Sequence, residues 1–258
     1  MLSAAEVGSK IICMNELVKS IRERYLFTLD RIAVAARGAA RLPESVRLVV
    51  VTKAQSLEVT RAAIEAGVKI LGENYPEEGV TKIQSLPKNS AVEWHMIGHV
   101  QSRKAELVAR YFNFMHSLDS LKLAKRLDGF CEKEDRTLPV LLEFNVGGEE
   151  TKGGWPAWEE ARWLELGNDI ASVLTLKHLS VRGLMTMPPL STDPEAGRVY
   201  FQKLRRLQEF LGRRVPAAEW QELSMGTSAD FAVAVEEGAT LVRVGQAILG
   251  PRPQAEGE

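Results

Sequence analysis

Cysteine, long apolar runs and an excess of one charge are all scarce in this chain. Its 258 residues hold two cysteines, Cys13 and Cys131, far apart in sequence. That excludes a disulfide-dense scaffold, argues against a cysteine-only metal site, and leaves two buried, reduced thiols as the expectation. No apolar stretch approaches the ~18 residues that cross a membrane. The N-terminal stretch MLSAAEVGSKIICMNELVKSIRERYLF lacks the basic start, apolar core and small-residue cleavage site of a secretory signal. A cytoplasmic location is expected. With 33 basic and 34 acidic side chains the formal net charge is -1, so there is no global field to hold nucleic acid. Tandem repeats and low-complexity linkers are also missing, so nothing marks a second domain. Global disorder is excluded by an ordinary 45% of hydrophobic residues.

What is present is a rhythm. Short β-branched or apolar runs alternate with charged, amphipathic stretches of helical length. The runs are Val46 to Thr52, Val68 to Gly72, Val92 to Gly98, Phe112 to Leu118, Leu138 to Val146, Leu176 to Met187, Trp220 to Met225 and Thr240 to Leu249. Each but the last is followed by a helix candidate, such as Leu57 to Ala66 or Gln101 to Tyr111. Continuous rather than alternating apolar runs suit strands covered on both faces, as in a parallel sheet. Roughly eight strand–helix units predict an α/β fold, a single closed (β/α)8 barrel of the TIM type. A doubly wound open sheet is the alternative. Ahead of the first strand, Asn15 to Ala40 places Leu17, Ile21, Tyr25, Leu29, Ile32 and Ala36 at helical spacing. Residues 1–42 therefore read as a helical extension packed across the barrel, with Met1 to Gly8 expected to fray and 251–258 to form a disordered tail.

In a parallel barrel, chemistry sits at the carboxyl ends of the strands. The first strand ends in Thr52-Lys53. Desolvation there would lower the lysine pKa and expose a nucleophilic amine able to form a Schiff base; alternatively Lys53 begins a loop and points to water. The second ends in Glu73-Asn74-Tyr75, where Asn74 can offer an amide to a ligand or cap the next helix. The third carries His95 and His99, which no acidic or cysteine partner joins as metal ligands. His116, in the fourth, reads as a core residue or as one standing behind the site. The seventh ends in Ser224-Met225-Gly226-Thr227-Ser228, glycine and hydroxyls running into a helix. That is a candidate phosphate site, although Ser228 would serve equally as an N-cap. The eighth supplies a second glycine turn, Gly245-Gln246. Arg243, two residues earlier, faces the same side as Gly245, toward either a core carboxylate or a ligand ring. Strands eight and one are neighbours in such a barrel. A phosphorylated aldehyde such as pyridoxal 5'-phosphate fits between the lysine and the phosphate cradle.

These residues also carry a resemblance. The blocks Leu48 to Lys53, Gly72 to Tyr75, Trp94 to Ser102, His116 to Ser120, Asn145 to Lys152, Gly183 to Pro188, Leu223 to Asp230, and Val242 to Gly250 with Arg252, in this order, resemble the pyridoxal phosphate homeostasis protein family. That family is related to the N-terminal barrel of alanine racemase. The resemblance implies a monomeric barrel that holds pyridoxal 5'-phosphate covalently. Lys53 would be its Schiff-base lysine. Ser224, Gly226, Thr227, Ser228, Gly245 and Gln246 would lie around the phosphate, Arg243 would face the pyridine nitrogen, and Asn74 would line the pocket. The implied role is to bind, carry or buffer the cofactor, with apo-enzymes as recipients, and without turnover. The chain departs from the family pattern at Thr52, at the Ala54-Gln55-Ser56 turn, at Thr227 and at Gly147-Gly148.

Two enzyme readings compete with that role. A racemase on the same barrel needs an opposing acid–base group, supplied in the racemase fold by a tyrosine from a separate β domain. The sequence runs only about nine residues past the last strand candidate, so no such domain is expected. A sugar-phosphate aldolase would use Lys53 but lacks an evident acid–base pair beside it.

Overall fold

The computed structural model describes residues 4–87, 91–216 and 218–252, with side chains described from Met14 onward. Eight strands form the barrel: β1 (Arg47–Val51), β2 (Ile70–Glu73), β3 (Glu93–Met96), β4 (Phe114–Leu118), β5 (Leu138–Asn145), β6 (Leu179–Met185), β7 (Glu222–Ser224) and β8 (Leu241–Val244). All pair in parallel in sequence order. The ring closes where β8 meets β1, with Val49 opposite Arg243, and where β4 meets β5. Closure excludes the open-sheet alternative. A two-residue strand, Trp155–Pro156, pairs outside the ring with the end of β5; the sequence pattern does not predict it.

The continuous apolar runs now resolve into two faces. Leu48, Val50, Leu71, Trp94, Met115, Leu142, Val242 and Val244 point outward into the core beneath the helices. Val49, Ile70, Ile97, Phe114, Leu141, Met185 and Leu241 point inward and fill the lower part of the barrel. Alternation along a strand fixes both sets, and covering both faces explains why the strands look uniformly apolar. The seventh and eighth strands are shorter than expected. Glycine turns at Gly226 and Gly245 end their ladders, and Gln246–Leu249, assigned to the eighth strand from sequence, is a short helix.

The helices are α1 (Ala4–Gly38), α2 (Leu57–Glu65), α3 (Pro76–Gln84), α4 (Ala105–Tyr111), α5 (Leu121–Lys133), α6 (Gly167–Leu174), α7 (Arg198–Arg214), α8 (Phe231–Glu236) and α9 (Gln246–Leu249). The extension is one 35-residue helix lying against α2, α8 and α9. Ile21, Ile32 and Ala36, expected on its apolar stripe, are buried. With only four residues α9 is too short to cover its strand, and α1 takes that place beside the β8–β1 seam. Arg24 Nε donates to the Ile248 carbonyl at 2.6 Å, and Arg41 donates to those of Val235 and Ala239. Ala4 to Gly8 are helical, against the expected fraying, while residues 1–3 lie outside the described set. Pro251 and Arg252 also depart from the expected tail. Gln55 Nε2 donates to the Gly250 carbonyl at 3.3 Å, holding the segment beside the barrel mouth. The rest of that tail, 253–258, lies outside the described residues. Cys131 is a free, buried thiol, pushed up to about 11 by burial, and the Cys13 side chain is not among those described.

Candidate functional site

The inward phase of each strand, continued past its last ladder residue, delivers a side chain to the barrel mouth. Val49 and Val51 lead to Lys53, Ile70 and Gly72 to Asn74, Leu141 to Glu143, and Leu241 to Arg243 and Gly245. Together with Ile97, Gly98, His99, Met185, Met187, Thr227, Ser228, Gln246 and Arg252 they line a cleft of about 270 Å³. Seven of the residues singled out from sequence meet there: Lys53, Asn74, Thr227, Ser228, Arg243, Gly245 and Gln246.

Lys53 is half-buried and forms no hydrogen bond or ion pair among the described residues. Burial lowers its pKa, and Arg252 and Arg243 push the same way against the opposing pull of Glu73 and Glu78. A lysine merely starting a solvated loop would show none of this, and a lowered pKa favours the neutral, nucleophilic form of an amine. Asn74 does not cap α3; Tyr75 occupies the cap position. Instead Gly98 packs onto the Asn74 backbone, where an added Cβ would stand 2.4 Å from its carbonyl oxygen. Glycine is required there for β2 and β3 to end side by side.

Across the cleft from the β1 side chain, two loops supply donors. The amides of Ser228 and Gln246 donate to no protein acceptor among the described residues, and the Gly245 amide reaches only the Ser228 hydroxyl at 3.5 Å. These donors and the Ser228 hydroxyl suit an anion. Helix dipoles add little, since α8 and α9 have six and four residues. Ser228 is not an N-cap. Asp230 precedes α8 and accepts from the Thr227 amide at 2.6 Å and the Thr227 hydroxyl at 3.1 Å.

Two residues expected at the phosphate, Ser224 and Gly226, do not line the cleft. Ser224 is fully buried below the cleft floor, its hydroxyl taken up by protein partners. Gly226, at φ 91°, turns its missing side chain toward α8; a Cβ would meet that of Ala234 at 2.5 Å and the Phe231 Cα at 2.9 Å. The absent Cβ is what lets α8 pack this close. From sequence, a strand-end hydroxyl looks the same whether it faces a ligand or the layer beneath.

That lower layer is a polar chain along the barrel axis. His95 Nε2 lies 3.2 Å from Glu93 Oε2, His95 Nδ1 lies 2.9 Å from His116 Nε2, and His116 Nδ1 lies 2.8 Å from Ser224 Oγ. Arg243 Nη1 donates to the same Ser224 oxygen, and Nη2 donates to the Thr186 carbonyl at 3.0 Å. Burial holds both histidines below their usual pKa, His116 far below. Neutral rings admit one consistent pattern. Arg243 donates to Ser224, Ser224 to His116 Nδ1, His116 Nε2–H to His95 Nδ1, and His95 Nε2–H to Glu93. His116, expected in the core or behind the site, is buried and links this chain. Among the described residues Arg243 forms no ion pair; burial lowers it to about 10, still cationic at neutral pH.

Sequence reasoning overlooked Glu143, gave no site role to Asp119 or Arg252 although both lie in the resembling stretches, and weighed His99 only as a metal ligand. Burial pushes the Glu143 carboxyl up to about 7, with Asp119 adding to the rise and Arg243, His99 and Lys152 opposing it. The available signal was one acid in the otherwise apolar Leu138 to Val146 run, in phase with Leu141. At the mouth, His99 Nδ1 lies 2.7 Å from Asp119 Oδ2. No cluster of three potential metal ligands occurs among the described residues.

The model of the alanine racemase N-terminal domain matches residues 29–253. Pyridoxal phosphate homeostasis protein from Vibrio alginolyticus is 38% identical over 238 residues, covering 91% of this chain and 99% of its own. The chain belongs to the pyridoxal phosphate homeostasis protein family. Its Aquifex aeolicus member is 40% identical over 230 residues, covering 89% of this chain and 97% of its own. The structure of PipY from Synechococcus elongatus with PLP bound superposes with a TM-score of 0.76 at 31% identity, over 89% of this chain and all of that one. Alanine racemase from Streptomyces coelicolor shares the fold alone, with a TM-score of 0.66 at 18% identity. This chain covers 58% of that longer enzyme. Relatives in the homeostasis family are named for homeostasis rather than for a reaction, and no described helix is long and apolar enough to cross a membrane.

Proposed function

We propose that this protein binds pyridoxal 5'-phosphate through Lys53 and serves the homeostasis of that cofactor without turning over a substrate. The observation that carries the reading is the half-buried Lys53 amine, unpartnered among the described residues, in one cleft with the amides of Ser228 and Gln246, which have no protein acceptor there, and the weakly held Gly245 amide. The residues fit the group: an amine for its aldehyde and donors for its phosphate. When bound, the cofactor supplies an electron-withdrawing ring and a carbonyl carbon open to amines. The neutral Lys53 Nζ would be the amine presented to that carbon, condensing with it at the release of one water. Ser228, Gly245 and Gln246 would hold the phosphate with Thr227 beside them, Asn74 would line the pocket, and Arg243 would lie toward the ring nitrogen. Ser224 and Gly226 act behind them. A fixed cation near the ring nitrogen disfavours its protonation, which weakens the ring as an electron sink and suits storage. In this reading the chain is one domain, a cytoplasmic monomer that releases cofactor to apo-enzymes.

Borohydride reduction after loading should leave a stable mass increment on Lys53, and Lys53→Ala should abolish it. An equal adduct on another lysine would sink the assignment. Loaded protein incubated with L-alanine should leave its chirality unchanged while restoring an apo-enzyme. Racemisation at ~1 per second, inside the usual enzyme range, would overturn the non-catalytic reading in favour of a racemase.

A further inference from the structure

Beneath the turn that carries Lys53 lies a buried ionic hub which the cleft itself does not use. Lys82, on α3, is 5% exposed. Its Nζ donates to Glu73 Oε1 at 2.8 Å, to Glu78 Oε1 at 2.6 Å and to the main-chain carbonyl of Thr52 at 2.6 Å. The same Glu78 oxygen accepts from the Ala54 amide at 2.7 Å, and Glu73 Oε1 also accepts from the Thr52 hydroxyl at 2.6 Å. Ala54 stands at φ 55°, left-handed backbone that a residue with a Cβ adopts only at a cost. Every arm of the hub thus ends on the residue before Lys53 or the residue after it. Lys82 spends its three donors there, although a surface position on the solvated side of α3 would cost far less. Glu73 Oε2 finds no partner in this network, so the cluster is not arranged for its own satisfaction alone.

We propose that Lys82 is a positioning residue for Lys53: by holding the Thr52 carbonyl directly and the Ala54 amide through Glu78, it fixes the backbone on both sides of Lys53 and so where the amine stands in the cleft. This rests on the reading of Lys53 as the cofactor lysine. The charges bearing on the amine are Arg252 and Arg243 from the β8 side and Glu73 and Glu78 from the β2–α3 side. Without the clamp the turn relaxes outward, the amine becomes hydrated, and its proton affinity returns toward that of an ordinary lysine.

The test measures Lys53 itself, with no cofactor present. Reductive methylation by formaldehyde is followed against pH by mass spectrometry, alongside pyridoxal phosphate loading. Three proteins are compared: wild type, Lys82→Met, and the double variant Glu73→Gln with Lys82→Met, which removes the charge Lys82→Met would leave buried and unpaired. In the double variant, folded by circular dichroism, the Lys53 labelling midpoint should rise by about one pH unit, a tenfold loss of neutral amine, and loading at pH 7.5 should fall at least as far. Lys82→Arg should recover part of the shift. If the double variant fails to fold, Glu78→Ala, at a part-exposed carboxylate, cuts the Ala54 arm alone; loss of its charge would by itself lower the midpoint, so a rise in this variant reports relaxation of the turn and a fall counts against the inference. An unchanged midpoint in a folded variant overturns the inference. Undiminished adduct formation in Lys53→Ala would defeat the cofactor reading instead, and the labelling midpoint would still decide the role of Lys82.

Discussion

Two serines four residues apart separate structural from ligand-binding duty. Ser224 joins the Arg243 guanidinium to His116 below the cleft, whereas Ser228 stands at its edge with a free amide. Ser224→Ala strips a buried donor and acceptor from two partners, which costs about 1 to 3 kcal/mol. Urea unfolding should show that loss. Ser228→Ala should change stability by less than ~0.5 kcal/mol, as surface substitutions do. It should nevertheless weaken pyridoxal phosphate binding by about ten- to a hundred-fold, the cost of one good hydrogen bond to a charged oxygen. Binding of pyridoxal, which has no phosphate, should be unaffected by Ser228→Ala. The reverse pattern would return Ser224 to the phosphate. Glu143 gives a second residue-scale prediction. Its folded pKa, about 7, lies above the ordinary 4.5. Between those values the folded state binds more protons than the unfolded one, so stability falls as pH rises through this window. The loss is at most about 3 kcal/mol above pH 7. Glu143→Gln should remove that slope, being more stable than wild type at pH 8 and indistinguishable at pH 4. Denaturation midpoints across that range check it.

At the scale of elements, α1 substitutes for an outer helix that β8 does not provide. Arg41 secures its end by donating at 2.6 Å to the Val235 carbonyl and at 2.9 Å to that of Ala239, at the end of α8. Arg41→Ala should destabilise the fold by about 1 to 3 kcal/mol, since it strands two carbonyls of charge-assisted bonds. A thermal midpoint within a degree of wild type would show that α1 docks through its apolar stripe alone. The helix itself was legible, because Ile21, Ile32 and Ala36 keep a 3.6-residue period. So were all eight barrel strands, because apolar runs between charged stretches have few other uses. Their ends were less legible. Leu241 to Leu249 reads as one apolar run, yet Gly245 breaks the ladder and sends Gln246 into a helix. The sequence carries composition there, while the break depends on Val51 of β1, 3.2 Å from where a Gly245 Cβ would stand. At the site, Lys53, Asn74 and Arg243 were legible because each closes a strand in the inward phase. Lys82 was not, since a lysine on a charged helix face gives no sign that it turns inward. Glu73 was equally hidden: it sits in an outward phase that the β2 run, four residues long, does not reveal.

The whole molecule is nearly neutral, with a formal charge of -1, and its many surface ion pairs cancel locally. The cleft does not follow that average. The permanent cations Arg243 and Arg252 share it with Lys53, and among the described residues the carboxylate lining it, Glu143, is pushed up to about 7 by burial. A small cavity with low-dielectric walls focuses such charge, so a phosphorylated aldehyde should meet an attractive potential although the protein as a whole repels anions slightly. Screening acts over about 10 Å at 0.1 M salt and 3 Å at 1 M. The association rate of pyridoxal phosphate should therefore fall several-fold between 20 mM and 500 mM sodium chloride, while that of pyridoxal stays nearly level. Arg252→Ala should flatten the dependence for the phosphate ester. It should also raise the Lys53 pKa, because Arg252 is the largest charge contribution depressing it, and so move the pH profile of loading upward. Stopped-flow absorbance at fixed pH gives the salt series, and the same measurement from pH 6 to 9 gives the profile. Equal salt dependence for pyridoxal and its phosphate would mean that capture is governed by the Lys53 reaction alone, with no steering by the cleft.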